Sequence, residues 1–137
     1  MTRIAVDTSV AVAYLLRSHT HHQLVRGHLS DHEVCLTGHS LAETYSVLTR
    51  LPGDARVTPD DARRLIEMNF PIVVPVPARW ARRLHFMLSE QGIGGGATYD
   101  AVVALSARHG GLALATRDLR AASTYAALSV QVELIAG

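Results

Sequence analysis

Asp7, Glu43, Asp100 and Asp118 are the acidic residues whose sequence neighbours suggest chemistry rather than ordinary surface charge. Asp7 closes the apolar run Ile4-Ala5-Val6, and Asp118 follows the run GLALAT by one residue. Asp100 opens the apolar stretch AVVALSA, and Glu43 lies within LAETYSVLTRL. Each has an ordinary alternative. Asp7 and Asp118 could be helix N-caps, a common use of aspartate. Asp100 could gain from a helix dipole, although an unpaired carboxylate on a buried helix is costly. Glu43 falls opposite the Leu41, Tyr45 and Leu48 face, together with His39 and Arg50, and could simply be solvated. Brought together, the four would repel one another unless a cation neutralised them. An oxygen-only set with no accompanying His/Cys group suits Mg²⁺ or Mn²⁺. Such a site activates a bound water and braces an in-line phosphoryl displacement, so the chemistry implied is phosphodiester hydrolysis.

The elements that must position these acids can be read from periodicity and breakers. Residues 3–7, 33–38, 71–76, 111–116 and 130–135 read as strands. Helices are expected over 10–16, 21–29 (weakened by Gly27), 41–51, from Thr58-Pro59 onward, over 77–92 as one piece, over 99–110, and in part over 117–128. The segment 99–110 is apolar nearly all round and should be buried. Alternating strands and helices predict a three-layer α/β fold with a mainly parallel central sheet. Ligands in such folds sit beyond the C-terminal strand ends, where Asp7 and Asp118 fall. Thr8 or Ser9 is expected to start the first helix, leaving the Asp7 oxygens free.

Composition narrows the field. The 137 residues, 48% of them hydrophobic, suit one domain over 1–137. No apolar run reaches the length of a membrane span, and no leader-like segment opens the chain. All 13 basic residues are arginine, and the net charge is only +1. The absence of lysine excludes P-loop nucleotide binding, the aspartyl-phosphate phosphatases and phospho-receiver domains. The phosphatases also require a second aspartate where Ser9 stands. Cys35 is alone, which rules out an intrachain disulfide and fits a reducing, cytoplasmic setting. His19, His21 and His22 invite a zinc reading, but a surface helix start accounts for them better. GIGGGA follows a helix rather than a strand, so it reads as a loop beside Asp100 and not as a dinucleotide fingerprint. Arg79, Arg82 and Arg83 around Trp80 read as a solvated helix face. Arg117 and Arg120 bracket Asp118 and are candidate phosphate contacts.

The runs IAVDTSV, SLAETYSVLTRL, TYDAVVALSA and ATRD, followed by a last apolar strand, resemble in order and spacing the PIN-domain ribonucleases. The likeness covers nearly the whole chain and is closest to the VapC-type toxins of bacterial type II toxin–antitoxin pairs. The resemblance implies a PIN-like fold and an Mg²⁺-dependent endoribonuclease, with Mn²⁺ able to substitute, that cuts single-stranded loops of structured RNA such as tRNA or rRNA. It assigns Asp7 and Asp100 as main metal ligands, and Glu43 and Asp118 as the acids completing the pocket. Thr8, Ser9 and Thr116 match supporting hydroxyls. It further implies a homodimer and a VapB-type antitoxin that inserts into the active-site groove. The alternative is a non-catalytic module of the same fold that binds RNA or protein.

Overall fold

Ile4 and Val6 alternate with the small Ala5, so the first strand can bury a different layer on each face. A computed structural model describes residues 1–136. The first half of the chain runs β1 (Thr2–Val6), α1 (Thr8–Leu15), α2 (His22–His28), β2 (His32–Thr37), α3 (Gly38–Thr49), α4 (Pro59–Asn69) and β3 (Val73–Val74). The second half adds α5 (Ala78–Ala81), α6 (Leu84–Glu90), α7 (Ala97–His109), β4 (Ala113–Thr116), α8 (Leu119–Ala127) and β5 (Val132–Leu134). The sheet order is β3-β2-β1-β4-β5, with every neighbouring pair parallel. Ile4 sits between Val34 and Ala113 in register. Helices cover both faces, as expected for a three-layer α/β/α fold.

Two apolar clusters hold the layers. Ile4 and Val6 pack with Val10, Leu36, Leu48, Ile66 and Phe70 on one side. Ala5 packs with Leu88, Val103, Leu114 and Tyr125 on the other. The chain grows outward from β1 to β3, then returns on the opposite side of β1 as β4. The β1/β4 boundary is therefore the topological switch point, where a crevice opens beyond the carboxyl strand ends. Asp7 immediately follows β1, and Thr37 and Thr116 end β2 and β4 at that same edge.

Two elements differ from the sequence reading. The single helix expected over 77–92 is two short ones, α5 and α6. Arg83 N–H donates to the Trp80 carbonyl three residues back, a tight turn that re-aims the chain. Neither Pro nor Gly marks this break. The core line of α3 is Ser40, Thr44 and Leu48, with Tyr45 left 39% exposed. Counting apolar residues selects the Leu41–Tyr45 line because it treats hydroxyl side chains as solvent-facing.

Candidate active site

The end of β1 places Asp7 where two elements can bond it. Its backbone carbonyl accepts from Ala11 N–H at 2.9 Å and its Oδ1 from Val10 N–H at 3.2 Å, so Asp7 is itself the N-cap of α1. This corrects the expectation that Thr8 or Ser9 would take over the helix start. Ser9 Oγ instead donates to Asp7 Oδ1 at 2.6 Å. Tyr125, buried on α8, donates its hydroxyl to Oδ2 at 2.9 Å. Burial raises the Asp7 carboxyl above its ordinary range, and the hydrogen bonds led by Ser9 work in the opposite direction. Burial and the Asp7 charge also push the Tyr125 phenol up, so it remains a protonated donor.

Asp100 stands in the first turn of α7, which enters through Gly95 at φ 62°, a left-handed conformation suited to glycine. Its carboxyl is raised by burial first and then by the charges of Asp118, Asp7 and Glu43. Asp118 caps α8, its Oδ1 accepting from Arg120 N–H at 2.9 Å and Ala121 N–H at 3.4 Å. Glu43 projects from α3, its Oε2 3.7 Å from His39 Nε2. Three of the four acids thus sit at helix N-termini, where the helix dipole offsets part of their mutual repulsion.

All four line one cleft of about 270 Å³, together with Thr8, Ser9, His39, Val47, Arg50, Val103, Ala121 and Tyr125. The polar face of α3 therefore forms one wall of the cleft, with Glu43 and Arg50 still exposed to solvent. A larger groove of about 730 Å³ lies between α3 and α4, lined by Leu41, Tyr45 and Ile66 among others, but it holds none of the four acids. Ser9 Oγ also accepts from Arg117 N–H at 3.0 Å and lies 3.5 Å from Thr116 Oγ1. Thr116 Oγ1 in turn accepts from Asp118 N–H at 3.0 Å. These two hydroxyls therefore join the Asp7 and Asp118 strand ends. Thr8 contributes to the lining.

Neither Arg117 nor Arg120 lines the cleft, and the Arg117 guanidinium donates to the Ile135 carbonyl at 3.0 Å. The cation on the cleft wall is Arg50. Sequence reading missed Tyr125, although a tyrosine on the apolar face of a helix must find a partner for its hydroxyl. His22 Nδ1 lies 2.8 Å from the Ala13 carbonyl and His19 Nδ1 accepts from His21 N–H, so local backbone occupies two of the histidines.

The donors that could meet a cation are all oxygens. Among the described residues no three acidic, histidine or cysteine side chains draw together into a ready-made metal cage. An all-oxygen donor set is the kind that Mg²⁺ takes, through one or two carboxylates with water and phosphate oxygens completing its shell. The Asp100 carboxylate accepts no hydrogen bond among the described residues and is half-buried beside like charges.

The PIN domain family profile matches residues 4–127. Ribonuclease VapC27 of Mycobacterium tuberculosis is 47% identical over 133 residues, which cover 97% of each chain. This chain belongs to the PIN-domain family, VapC type. The fold recurs in the structure of FitAB bound to an IR36 DNA fragment, with a TM-score of 0.72 at 20% identity, covering 96% of this chain and 94% of that one. It recurs in VapBC-5 from Mycobacterium tuberculosis, a member of the VapBC family of toxin-antitoxin systems, with a TM-score of 0.59 at 24% identity over the full length of both chains. Among the described residues, no helix is long and apolar enough to cross a membrane.

Proposed function

We propose that this PIN-domain chain is an Mg²⁺-dependent endoribonuclease, with Mn²⁺ able to substitute, and the toxin of a toxin–antitoxin pair. The observation that carries the reading is the single cleft lined by Asp7, Glu43, Asp100 and Asp118. The ribonuclease name of a relative 47% identical over nearly the whole chain supports RNA as the substrate. Asp7 and Asp100 would hold the ion, with Glu43 and Asp118 supporting it through water. When bound, Mg²⁺ supplies an activated water and charge neutralisation at the scissile phosphate. The chain's own residues do the rest. Ser9, Val10 N–H and Tyr125 fix the Asp7 carboxylate, and Arg50 offers a cation to phosphate from the cleft wall.

A loop of tRNA or rRNA is the expected target class. A homodimer held in check by a cognate VapB-type antitoxin is the expected assembly, supported by the toxin-antitoxin family of the VapBC-5 structure. The test is cleavage of structured RNA by purified protein with Mg²⁺, with Mn²⁺ and with EDTA. Cleavage should need the metal, and Asp100→Asn should lower kcat by about 100-fold or more. RNA left intact by the wild type with either metal would return the chain to the reading of a non-catalytic binding module.

A further inference from the structure

Tyr99 immediately precedes Asp100 in the first turn of α7 and is 59% exposed despite its size. Its ring stacks on His39, with centroids 5.5 Å apart and planes 13° from parallel. His39 belongs to the cleft wall, and its Nε2 is 3.7 Å from Glu43 Oε2. That nitrogen is buried and has no hydrogen-bond partner among the described residues. The imidazole thus backs one face of the tyrosine and ties the pair to the acidic wall. The remainder of the phenol ring stays open beside the cleft.

We infer that Tyr99, backed by His39, is a stacking platform for one unpaired RNA base next to the phosphodiester in the cleft. The inference rests on the ribonuclease reading for the identity of its ligand. A cleft lined by four carboxylates offers phosphate only Arg50 and whatever cation it binds, so groups indifferent to phosphate charge add to the grip on RNA. A neutral aromatic face is such a group, because every base presents a π-surface. Only a base out of its helix can offer that surface, which selects looped or single-stranded segments. Arg50, the C-cap of α3, lies eleven residues beyond His39, about 16 Å along the helix axis, with Glu43 between them. The α3 wall therefore carries the imidazole that backs the platform, an acid and a phosphate-seeking cation in sequence. An aromatic serving only as a protein contact would not require this alignment with the acid.

The experiment uses the full chain in two forms. In the first, Trp80→Phe removes the only tryptophan and Tyr99→Trp places one at the platform. Its fluorescence is titrated with a single-stranded 12-mer oligoribonucleotide and with the same 12-mer made abasic throughout. Saturable quenching is expected with the base-bearing RNA and not with the abasic one. In the second, Tyr99→Ala should raise KM on the order of tenfold with kcat unchanged, while Tyr99→Phe stays near wild type. Absence of quenching, or equal quenching by the abasic chain, overturns the platform. So does a Tyr99→Ala protein with altered self-association but unaltered RNA binding, which would assign the ring to a protein contact. Quenching without any RNA cleavage would remove the ribonuclease reading and leave the platform standing, and cleavage without quenching would do the reverse.

Discussion

Oδ1 of Asp7 accepts from both Ser9 Oγ and Val10 N–H, which occupies its two lone pairs. A cation reaching Asp7 must therefore use the lone pair of Oδ2 left free beside the Tyr125 hydroxyl. Tyr125 acts as a positioning residue, since its hydroxyl is spent on Asp7 Oδ2 and holds the carboxylate plane. Tyr125→Phe keeps the ring in the core but frees Oδ2, at a cost in stability of about 1–3 kcal/mol. The Mg²⁺ concentration for half-maximal RNA cleavage should rise about 10-fold, with most of kcat recovered at saturating metal. An unchanged metal requirement alongside a lowered Tm would reduce Tyr125 to a packing role. At this scale the acids were legible because each stands at a change of pattern: a strand end, a helix start or a polar position in an amphipathic run. Tyr125 was not, because it lies 118 positions from Asp7 and only the fold brings the two together. Nor could the sequence divide Asp7's oxygens between capping and ligation. Cap and ligand looked like alternatives, yet the structure lets one carboxylate serve as a cap and still offer an oxygen to the cleft.

The elements meet the cleft through their ends. Asp7, Thr37 and Asp118 each follow or finish a strand and accept from a backbone N–H in the first turn of the next helix. One short loop chemistry, repeated three times, thus turns β1, β2 and β4 into α1, α3 and α8 at a common edge. The strands and most helices were readable from periodicity and caps, including the Thr58-Pro59 start of α4. The inward line of α3 was not, because its buried residues Ser40 and Thr44 are polar by type. Thr37 Oγ1 donates to Ser40 Oγ at 2.9 Å, but Thr44 Oγ1 is buried with no partner among the described residues. A buried hydroxyl without a partner is destabilising, and valine has nearly the same shape. Thr44→Val should therefore raise stability by about 1 kcal/mol in urea unfolding, with no change in m. A loss of stability would mean that the hydroxyl is bonded in solution after all.

Across the whole molecule, a parallel sheet with a switch point beside its central strand gathers acids from far-apart stretches of chain onto one edge. Assembly of the cleft therefore sets like charges together during folding, and the folded protein carries that repulsion. Asp7 and Asp100 both have carboxyls raised above the ordinary value of 3.8, so the folded state holds their protons more tightly than the unfolded chain does. Stability from such groups is fully present below the unfolded value and is lost as pH rises through the raised one. Metal-free protein should thus be weakened at neutral pH by its own cleft. Asp100 is the cleaner probe, because its carboxylate accepts no hydrogen bond among the described residues that asparagine would forfeit. In EDTA at pH 7, Asp100→Asn should melt above wild type, by about 1 kcal/mol or less given how far solvent screens the site. The gap should close as pH falls below about 4, where the wild-type carboxyl is protonated in both states. Excess Mg²⁺ should reverse the order at pH 7, since only the wild type keeps the full set of ligands and gains the linkage stabilisation of binding. Thermal melts of the two proteins across this pH range, with EDTA and with Mg²⁺, measure all three effects. A wild type that melts higher than Asp100→Asn in EDTA at pH 7 would show that the four carboxylates are not in electrostatic conflict.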